Sequence, residues 1–242
     1  MKRLFLDMGG FGDLLKPAHA HEAWMNHGLG ILVTIARQAG IDIDVLSLRL
    51  MNSLGEFRQI LQSKTYDVVC MNVRSYNYPE AVAAAKVIKA VSPDTLILTG
   101  GMHSAVAPDE MEEVLEFDLI YKGEGEGDIL AILEDPAGYI RDNGRIVDGS
   151  ALPILDALPF MDRRVWPKPQ WTPDGREWWP LERDCGWGPP PVATMITGRY
   201  CPWKCSFCAP AEWYHCKVLR RHSVDYEIEE LNYLDRTYGP LG

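Results

Sequence analysis

The sequence predicts an α/β fold in which residues 1–150 form a flavodoxin-like, doubly wound parallel sheet. Short apolar runs alternate with segments of helical spacing, and glycines or prolines separate the two kinds of segment. Hydrophobic residues make up 47% of the 242 residues, which is enough to bury the core of such a sheet.

Five strands and five helices are predicted before residue 134. Residues 41–48 alternate apolar and polar side chains with period two, as a strand covered on one face does. The helical spacing that begins near Gly28 ends at Gly40, and glycine is a common residue just beyond a helix. The predicted strands are 3–8, 41–48, 67–73, 95–99 and 118–122, and the predicted helices are 28–40, about 57–61, 79–91, 108–115 and 127–133. A hairpin is predicted over 139–147, because Asp-Asn-Gly suits a tight turn.

The composition changes after residue 150. Residues 151–191 hold nine of the 17 prolines and five of the eight tryptophans, which predicts a linker that packs by its aromatic side chains. Residues 192–197 are predicted as a strand. A final helix should begin after Ser223 as N-cap and end at Gly239-Pro240. We therefore expect three parts, namely 1–150, the linker 151–191, and 192–242.

Charge and cysteine content exclude several classes of protein. The net charge of −10 argues against a nucleic-acid partner, which would favour a basic face. No apolar run approaches the roughly 18 residues of a membrane span. The sequence shows no export signal, so we expect a cytoplasmic protein in which clustered cysteines bind metal rather than form disulfides. Cys70 lies in an apolar run and is expected to be a core thiol, while Cys185 and Cys216 are unassigned.

Three cysteines, Cys201, Cys205 and Cys208, follow one another with the spacing C-x3-C-x2-C. Three thiolates can hold a [4Fe–4S] cluster and leave one iron open, whereas electron-transfer clusters normally have a fourth protein ligand. An open iron could bind the amino and carboxylate groups of S-adenosylmethionine (SAM). The alternative is a structural zinc site completed by Cys216 or His215, although zinc loops more often pair cysteines as C-x2-C.

This loop resembles the signature of the radical SAM superfamily, including an aromatic residue, Phe207, before the last cysteine. The resemblance implies that Phe207 lies near the adenine of SAM, and that the loop follows the first strand of a (β/α) barrel. It also implies that an electron from the cluster cleaves SAM to methionine and a 5′-deoxyadenosyl radical. A complete barrel takes about 250 residues. Because only 34 residues follow Cys208, we expect a truncated barrel that consists of its first strand, the cluster loop and one helix. We expect that such a chain does not turn over substrate by itself.

Glycines follow three of the predicted strands and the polar run Arg74-Ser75 follows a fourth, at the edge where open parallel sheets bind ligands. The stretches Gly28-Leu-Gly30, Gly100-Gly101-Met-His and Tyr121-Lys-Gly-Glu-Gly-Glu126 resemble, in order and spacing, the cobalamin-binding domain that precedes the barrel in one radical SAM class. The resemblance implies that Ser75 and Gly100-Gly101 line the nucleotide tail of cobalamin. The expected cofactor contacts are Gly9, Gly10, Ser75, Gly100, Gly101, Gly123, Glu124 and Phe207.

The sequence departs from this pattern after the first strand. Cobalamin domains with an axial histidine carry Asp-x-His-x-x-Gly, whereas this chain has Asp7-Met-Gly9-Gly-Phe-Gly12. Cobalt is therefore expected to have no protein ligand from this loop, unless the domain has lost cobalamin. The possible substitutes are His21, His27 and His103. The glutamates of the Gly-Glu-Gly-Glu run are expected in the first turn of a helix, where carboxylates favour the dipole.

The combined resemblance implies a cobalamin-dependent radical SAM enzyme that transfers methyl groups to unactivated carbon. Cyclisation or rearrangement, a non-catalytic cobalamin-binding module, and a zinc-stabilised interaction protein remain alternatives. The implied partners are a small-molecule substrate and an electron donor such as flavodoxin or ferredoxin. No catalytic side chain is predicted.

Overall fold

Six parallel strands form the central sheet of the computed structural model, which describes residues 1–9, 25–149, 154–166, 170–171, 177–178, 193–203, 205–208 and 219–239. The strand order is β2-β1-β3-β4-β5-β6, and every pair is parallel. The strands are β1 (Arg3–Asp7), β2 (Asp44–Ser47), β3 (Val68–Asn72), β4 (Leu96–Gly100), β5 (Leu119–Lys122) and β6 (Ile146–Asp148). The predicted flavodoxin-like parallel sheet is confirmed.

Helices cover both faces of this sheet. They are α1 (His27–Gln38), α2 (Leu54–Ser63), α3 (Tyr78–Val91), α4 (Met102–Val106), α5 (Pro108–Glu112), α6 (Ile129–Glu134) and α7 (Pro136–Asn143). A further helix, α8 (Val224–Tyr238), packs against residues 158–163. One core lies beneath α2, α3 and α5 and includes the fully buried Phe57 and Met111. The other lies beneath α1 and α6 and includes Leu29, Val33 and Leu133. Two cores on opposite faces explain why the central strands are apolar along nearly their whole length.

The predicted hairpin over residues 139–147 is wrong. These residues form most of α7 and all but the end of β6, and β6 pairs parallel to β5. The Asp135 side chain caps α7 by accepting from the Gly138 amide, and Gly144, with φ of +87°, ends the helix. Gly144 thus has the positive φ that the sequence indicated, but it serves a helix end rather than a turn between strands.

The predicted strand at 192–197 is also wrong for the described residues 193–197, none of which belongs to a strand. Instead, β9 (Gly198–Arg199) pairs antiparallel with β10 (Arg220–Arg221). Another two-residue pair joins β7 (Gln170–Trp171) to β8 (Glu177–Trp178). The final helix, α8, is confirmed with its predicted cap, since the Ser223 hydroxyl accepts from the Tyr226 amide.

The segment 154–166 packs against α1 at Gly30 and Thr34. Met161 lies so close to Gly30 that a Cβ there would be 2.2 Å from the sulfur. Met161, Val165 and Trp166 are buried in the same core as α1. Arg163 is 1% exposed, and its backbone amide donates to the Tyr238 hydroxyl of α8 at 2.8 Å. Among the helices of the described ranges, none has both the length and the apolar character that a membrane crossing requires.

Candidate functional site

The carboxyl ends of the strands bring most of the predicted cofactor contacts to one edge of the sheet. Parallel strands all end at the same edge, and ligands of open α/β sheets bind there. Residues from the ends of four strands lie at this edge, namely Gly9, Ser75, Gly100, Gly101, Gly123 and Glu124. Gly10 and His21 lie outside the described residues.

Asp7, at the end of β1, is buried beside two arginines. The Ser47 hydroxyl donates to its carboxylate at 2.8 Å. Burial raises the pKa of Asp7, while the positive charges of Arg49 and Arg74 and the hydrogen bond from Ser47 act in the opposite direction. A Cβ on Gly9 would lie 2.4 Å from Cγ of Arg49. The stem of Arg49 therefore fills the place where a side chain at position 9 would begin, at the position where the axial-histidine pattern has its histidine.

Ser75 and His103 join the ends of β3 and β4. The Ser75 hydroxyl and Nδ1 of His103 are 3.1 Å apart, and Nε2 of His103 lies 3.4 Å from the Glu110 carboxylate. Ser75 is exposed, whereas His103 is only 5% exposed. Both ring nitrogens of His103 thus face groups of the domain, and the exposed hydroxyl of Ser75 is oriented by the ring behind it.

Gly100 and Gly101 differ in how much space surrounds them. Gly101 has a φ of +96°, and a Cβ there would lie 2.8 Å from the Val73 carbonyl oxygen. At Gly100 a Cβ would meet only the Tyr121 carbonyl oxygen, at 3.7 Å. Gly101 is therefore needed by the fold itself, whereas Gly100 leaves room at the edge. The open backbone at Gly100 and the exposed Ser75 hydroxyl fit the nucleotide tail that the sequence predicted for this position.

The loop after β5 carries two glutamates that pair with arginines from the end of the chain. Arg220 donates to both oxygens of Glu124, at 2.9 and 2.5 Å. Arg199 donates to Glu126 at 2.5 Å and lies 3.4 Å from Glu124. Glu124, expected as a cofactor contact, is thus engaged by arginine on both oxygens. Both glutamates were expected in the first turn of a helix. Glu126 does lie in a single helical turn, Gly125–Gly127, which precedes α6, whereas Glu124 is the residue before that turn. The pairing with arginine was not foreseen.

The predicted metal ligands lie in a loop that starts two residues after Arg199. Cys201, Cys205 and Cys208 all have free thiols, and the first two are exposed. The Cys208 amide donates to the Cys205 carbonyl at 3.0 Å, and the Phe207 side chain is 90% exposed. Three accessible thiols are a suitable donor set for an iron–sulfur cluster. In the described part of the chain, no three potential ligand side chains are gathered closely enough to hold a metal ion.

Other candidate ligands are either engaged or undescribed. Nε2 of His27 is hydrogen-bonded to the Thr194 hydroxyl at 2.6 Å. Cys70 is buried in β3, and burial raises the pKa of its thiol to about 12, in keeping with the predicted inert core thiol. The alternative zinc ligands Cys216 and His215, and the unassigned Cys185, lie outside the described residues.

Comparisons with known proteins show which proteins the chain is similar to. Residues 18–133 match the family described as B12 binding domain. The chain is 31% identical over 219 residues to the hopanoid C-3 methylase of Methylococcus capsulatus, and the match covers 84% of this chain and 39% of that protein. This chain therefore spans well under half the length of that relative.

Two solved structures share the fold. The cobalamin-dependent SAM radical enzyme OxsB with aqua-cobalamin and S-adenosylmethionine bound gives a TM-score of 0.54 at 13% identity, covering 97% of this chain and 31% of OxsB. OxsB with aqua-cobalamin alone gives the same TM-score at 12% identity, covering 97% of this chain and 32% of OxsB. At such low identity the likeness concerns the fold alone.

Proposed function

We propose, because residues 18–133 match the B12 binding domain family, that this chain is part of a cobalamin-dependent radical SAM enzyme. The proposed reaction is reductive cleavage of S-adenosylmethionine at a [4Fe–4S] cluster, in the service of methyl transfer to an unactivated carbon. Similarity to a protein named as a C-3 methylase favours methyl transfer over cyclisation or rearrangement.

One observation carries the proposal. The base of the cysteine loop is docked on the sheet edge that carries the glycine-lined loops, through the pairing of Arg199 with Glu126. Cys201 follows Arg199 by two residues, so the predicted ligands of the cluster adjoin the predicted cobalamin site. An enzyme that uses both cofactors in one reaction needs them close together.

Each cofactor would supply one part of the chemistry when bound, the cluster an electron and cobalamin a methyl group. The chain's own residues would hold and orient these groups. The three cysteines would leave one iron open for SAM, and Phe207 would lie beside its adenine. Gly9, Gly10, Ser75, Gly100, Gly101 and Gly123 would lie beside cobalamin. With Arg49 packed against Gly9, no protein ligand to cobalt is proposed from that loop.

The proposal includes partners and a location. The acidic chain would receive electrons from a flavodoxin or ferredoxin in the cytoplasm and would act on a small-molecule substrate. Substrate contacts are assigned to parts of the enzyme other than the described residues.

Anaerobic purification of the chain, followed by metal analysis and cobalamin titration, tests this function. Iron and sulfide retained together with hydroxocobalamin binding are the expected result. Cobalamin binding without iron would support a non-catalytic cobalamin module. Stoichiometric zinc without iron would support a zinc-stabilised interaction protein, and either outcome would overturn the proposal.

A further inference from the structure

Four charged side chains from distant parts of the chain meet at the carboxyl edge of the sheet. We refer to Glu124, Glu126, Arg199 and Arg220 as the charge cluster. Their side chains are only 5–14% exposed. Ionised groups that are this deeply buried are stable only when paired, because each has lost most of its hydration. Two carboxylates and two guanidinium groups give the cluster a balanced charge.

The two arginines lie directly opposite each other on the β9–β10 ladder. Arg199 and Arg220 are Cα partners in this two-residue antiparallel pair. Like charges directly opposite on paired strands repel each other. Here the guanidinium of Arg220 donates to both oxygens of Glu124, and the guanidinium of Arg199 donates to Glu126. The ladder therefore depends on the two glutamates of the β5 loop to neutralise its facing arginines.

This ladder forms the base of the cysteine loop. Residues 200–219 connect β9 to β10, so all three predicted cluster ligands lie between its strands. The His222 amide donates to the Thr197 carbonyl at 3.0 Å and extends the pairing. Three residues earlier, Thr194 is hydrogen-bonded to His27 of α1 through its hydroxyl and to Arg163 through its carbonyl. The stretch leading into the loop is thus attached at both ends, by hydrogen bonds at Thr194 and by ion pairs at Arg199.

From this arrangement we infer that Glu124 and Glu126 are positioning residues that close the base of the cysteine loop and hold it on the cobalamin edge of the sheet. The ladder between β9 and β10 forms only where the glutamates neutralise its two facing arginines. The base of the loop therefore closes and docks on the sheet in one event. The inference rests on the proposed function for the identity of the two cofactors, but the contacts that carry it do not involve either cofactor.

The first test changes the charge balance of the charge cluster and uses the whole chain without cofactors. Glu126→Gln keeps the size of the side chain but leaves two arginines facing one carboxylate. Hydrogen exchange should show protection lost in peptides that cover 197–199 and 219–222, with the six-stranded sheet unchanged. Adding Arg199→Met to Glu126→Gln leaves Arg220 paired with Glu124 and should restore the protection. Asp148→Asn, which breaks the Lys122–Asp148 pair between β5 and β6, is the matched control and should change neither peptide.

A spectroscopic test then addresses positioning. The protein is reconstituted with iron and sulfide, with or without cob(II)alamin, and studied by electron paramagnetic resonance. In the wild type, adding cob(II)alamin should raise the microwave power that half-saturates the signal of the reduced cluster, because a second paramagnet then lies nearby. In Glu126→Gln, iron content and cobalamin absorbance should be retained while this rise is lost. Unchanged exchange protection or an unchanged power dependence in Glu126→Gln would overturn the inference. A wild type that retains neither iron nor cobalamin would instead refute the proposed function, and the exchange result would still decide the role of the glutamates.

Discussion

Replacing Gly101 by alanine is expected to destabilise the fold strongly, because the backbone there is closed to side chains. Its φ of +96° and ψ of −172° fall in a region that only glycine populates freely, at a cost of about 1–3 kcal/mol for other residues. An added Cβ would also lie 2.8 Å from the Val73 carbonyl oxygen, which cannot withdraw easily because it accepts from the His103 amide. Such overpacking costs about 1–3 kcal/mol.

Alanine also restricts the unfolded chain, which returns about 0.4–1 kcal/mol of stability. We therefore expect a net loss of about 1–5.6 kcal/mol in the free energy of unfolding, compared with the roughly 5–15 kcal/mol of a typical domain. Urea unfolding followed by far-ultraviolet circular dichroism measures this loss. A lower urea midpoint should be accompanied by an unchanged slope, since the packed surface area is the same.

Gly100→Ala is the matched control. A Cβ at Gly100 would make one ordinary contact, 3.7 Å from the Tyr121 carbonyl oxygen, so its free energy of unfolding should stay within about 1 kcal/mol of wild type. Equal urea midpoints for Gly100→Ala and Gly101→Ala would refute the reasoning. Gly100→Val, which adds a branched side chain at the open edge, should keep the fold and weaken hydroxocobalamin binding in a titration of the whole chain. Unaltered binding would remove Gly100 from the proposed cofactor contacts.

Three further predictions concern ligands and buried charge. Alanine in place of all three loop cysteines should abolish iron retention after anaerobic reconstitution, while Cys216→Ala should not; iron loss in Cys216→Ala would indicate a four-cysteine site. Gly9→His should lower the thermal midpoint because the new Cβ overlaps the stem of Arg49, and Gly9→His combined with Arg49→Ala should recover much of it; no recovery would contradict the packing argument. Because burial raises the pKa of Asp7, its contribution to stability is present at low pH and is lost as pH rises through its folded-state pKa. Asp7→Asn should therefore gain stability relative to wild type as pH increases above about 4, and urea midpoints that show no such trend would count against a raised pKa.

The parallel sheet could be predicted because its central strands are apolar on both faces and its strands are separated by segments of helical spacing. The runs ending near Asp7 and Asn72, for example, are buried along almost their whole length. Such a pattern has few competing interpretations once it alternates regularly with helices. The preference for short, right-handed connections then restricts which strands can be neighbours.

The prediction of a hairpin failed because the same sequence signal occurs in hairpin turns and at helix ends. Asn143-Gly144 allows positive φ, which serves a tight hairpin turn and a helix end equally well. The feature that decides between them is Asp135-Pro136, since a capping side chain followed by proline starts a helix. That start signal ends eight residues before Gly144, which is the length of α7.

The charge cluster could not have been predicted from local pattern. Glu126 and Arg199 are 73 residues apart, and Glu124 and Arg220 are 96 residues apart. Charged residues in loops usually face solvent, so nothing near any one of the four indicates burial. Only the folding of the β5 loop against the β9–β10 pair gives these residues their partners.

The packing of residues 154–166 has a consequence for how the cobalamin-binding half can be separated from the rest. A protein cut at residue 150 would retain α1 but lose Met161, Val165 and Trp166 from the core that α1 helps to form. Each such side chain contributes about 1.5–3 kcal/mol to the free energy of unfolding when it is fully buried. Losing all three would therefore remove an amount comparable to the stability of a small domain. The smallest autonomous unit should therefore extend at least to Trp166, and the proline-rich stretch that looks like a spacer in the sequence belongs in part to the domain before it.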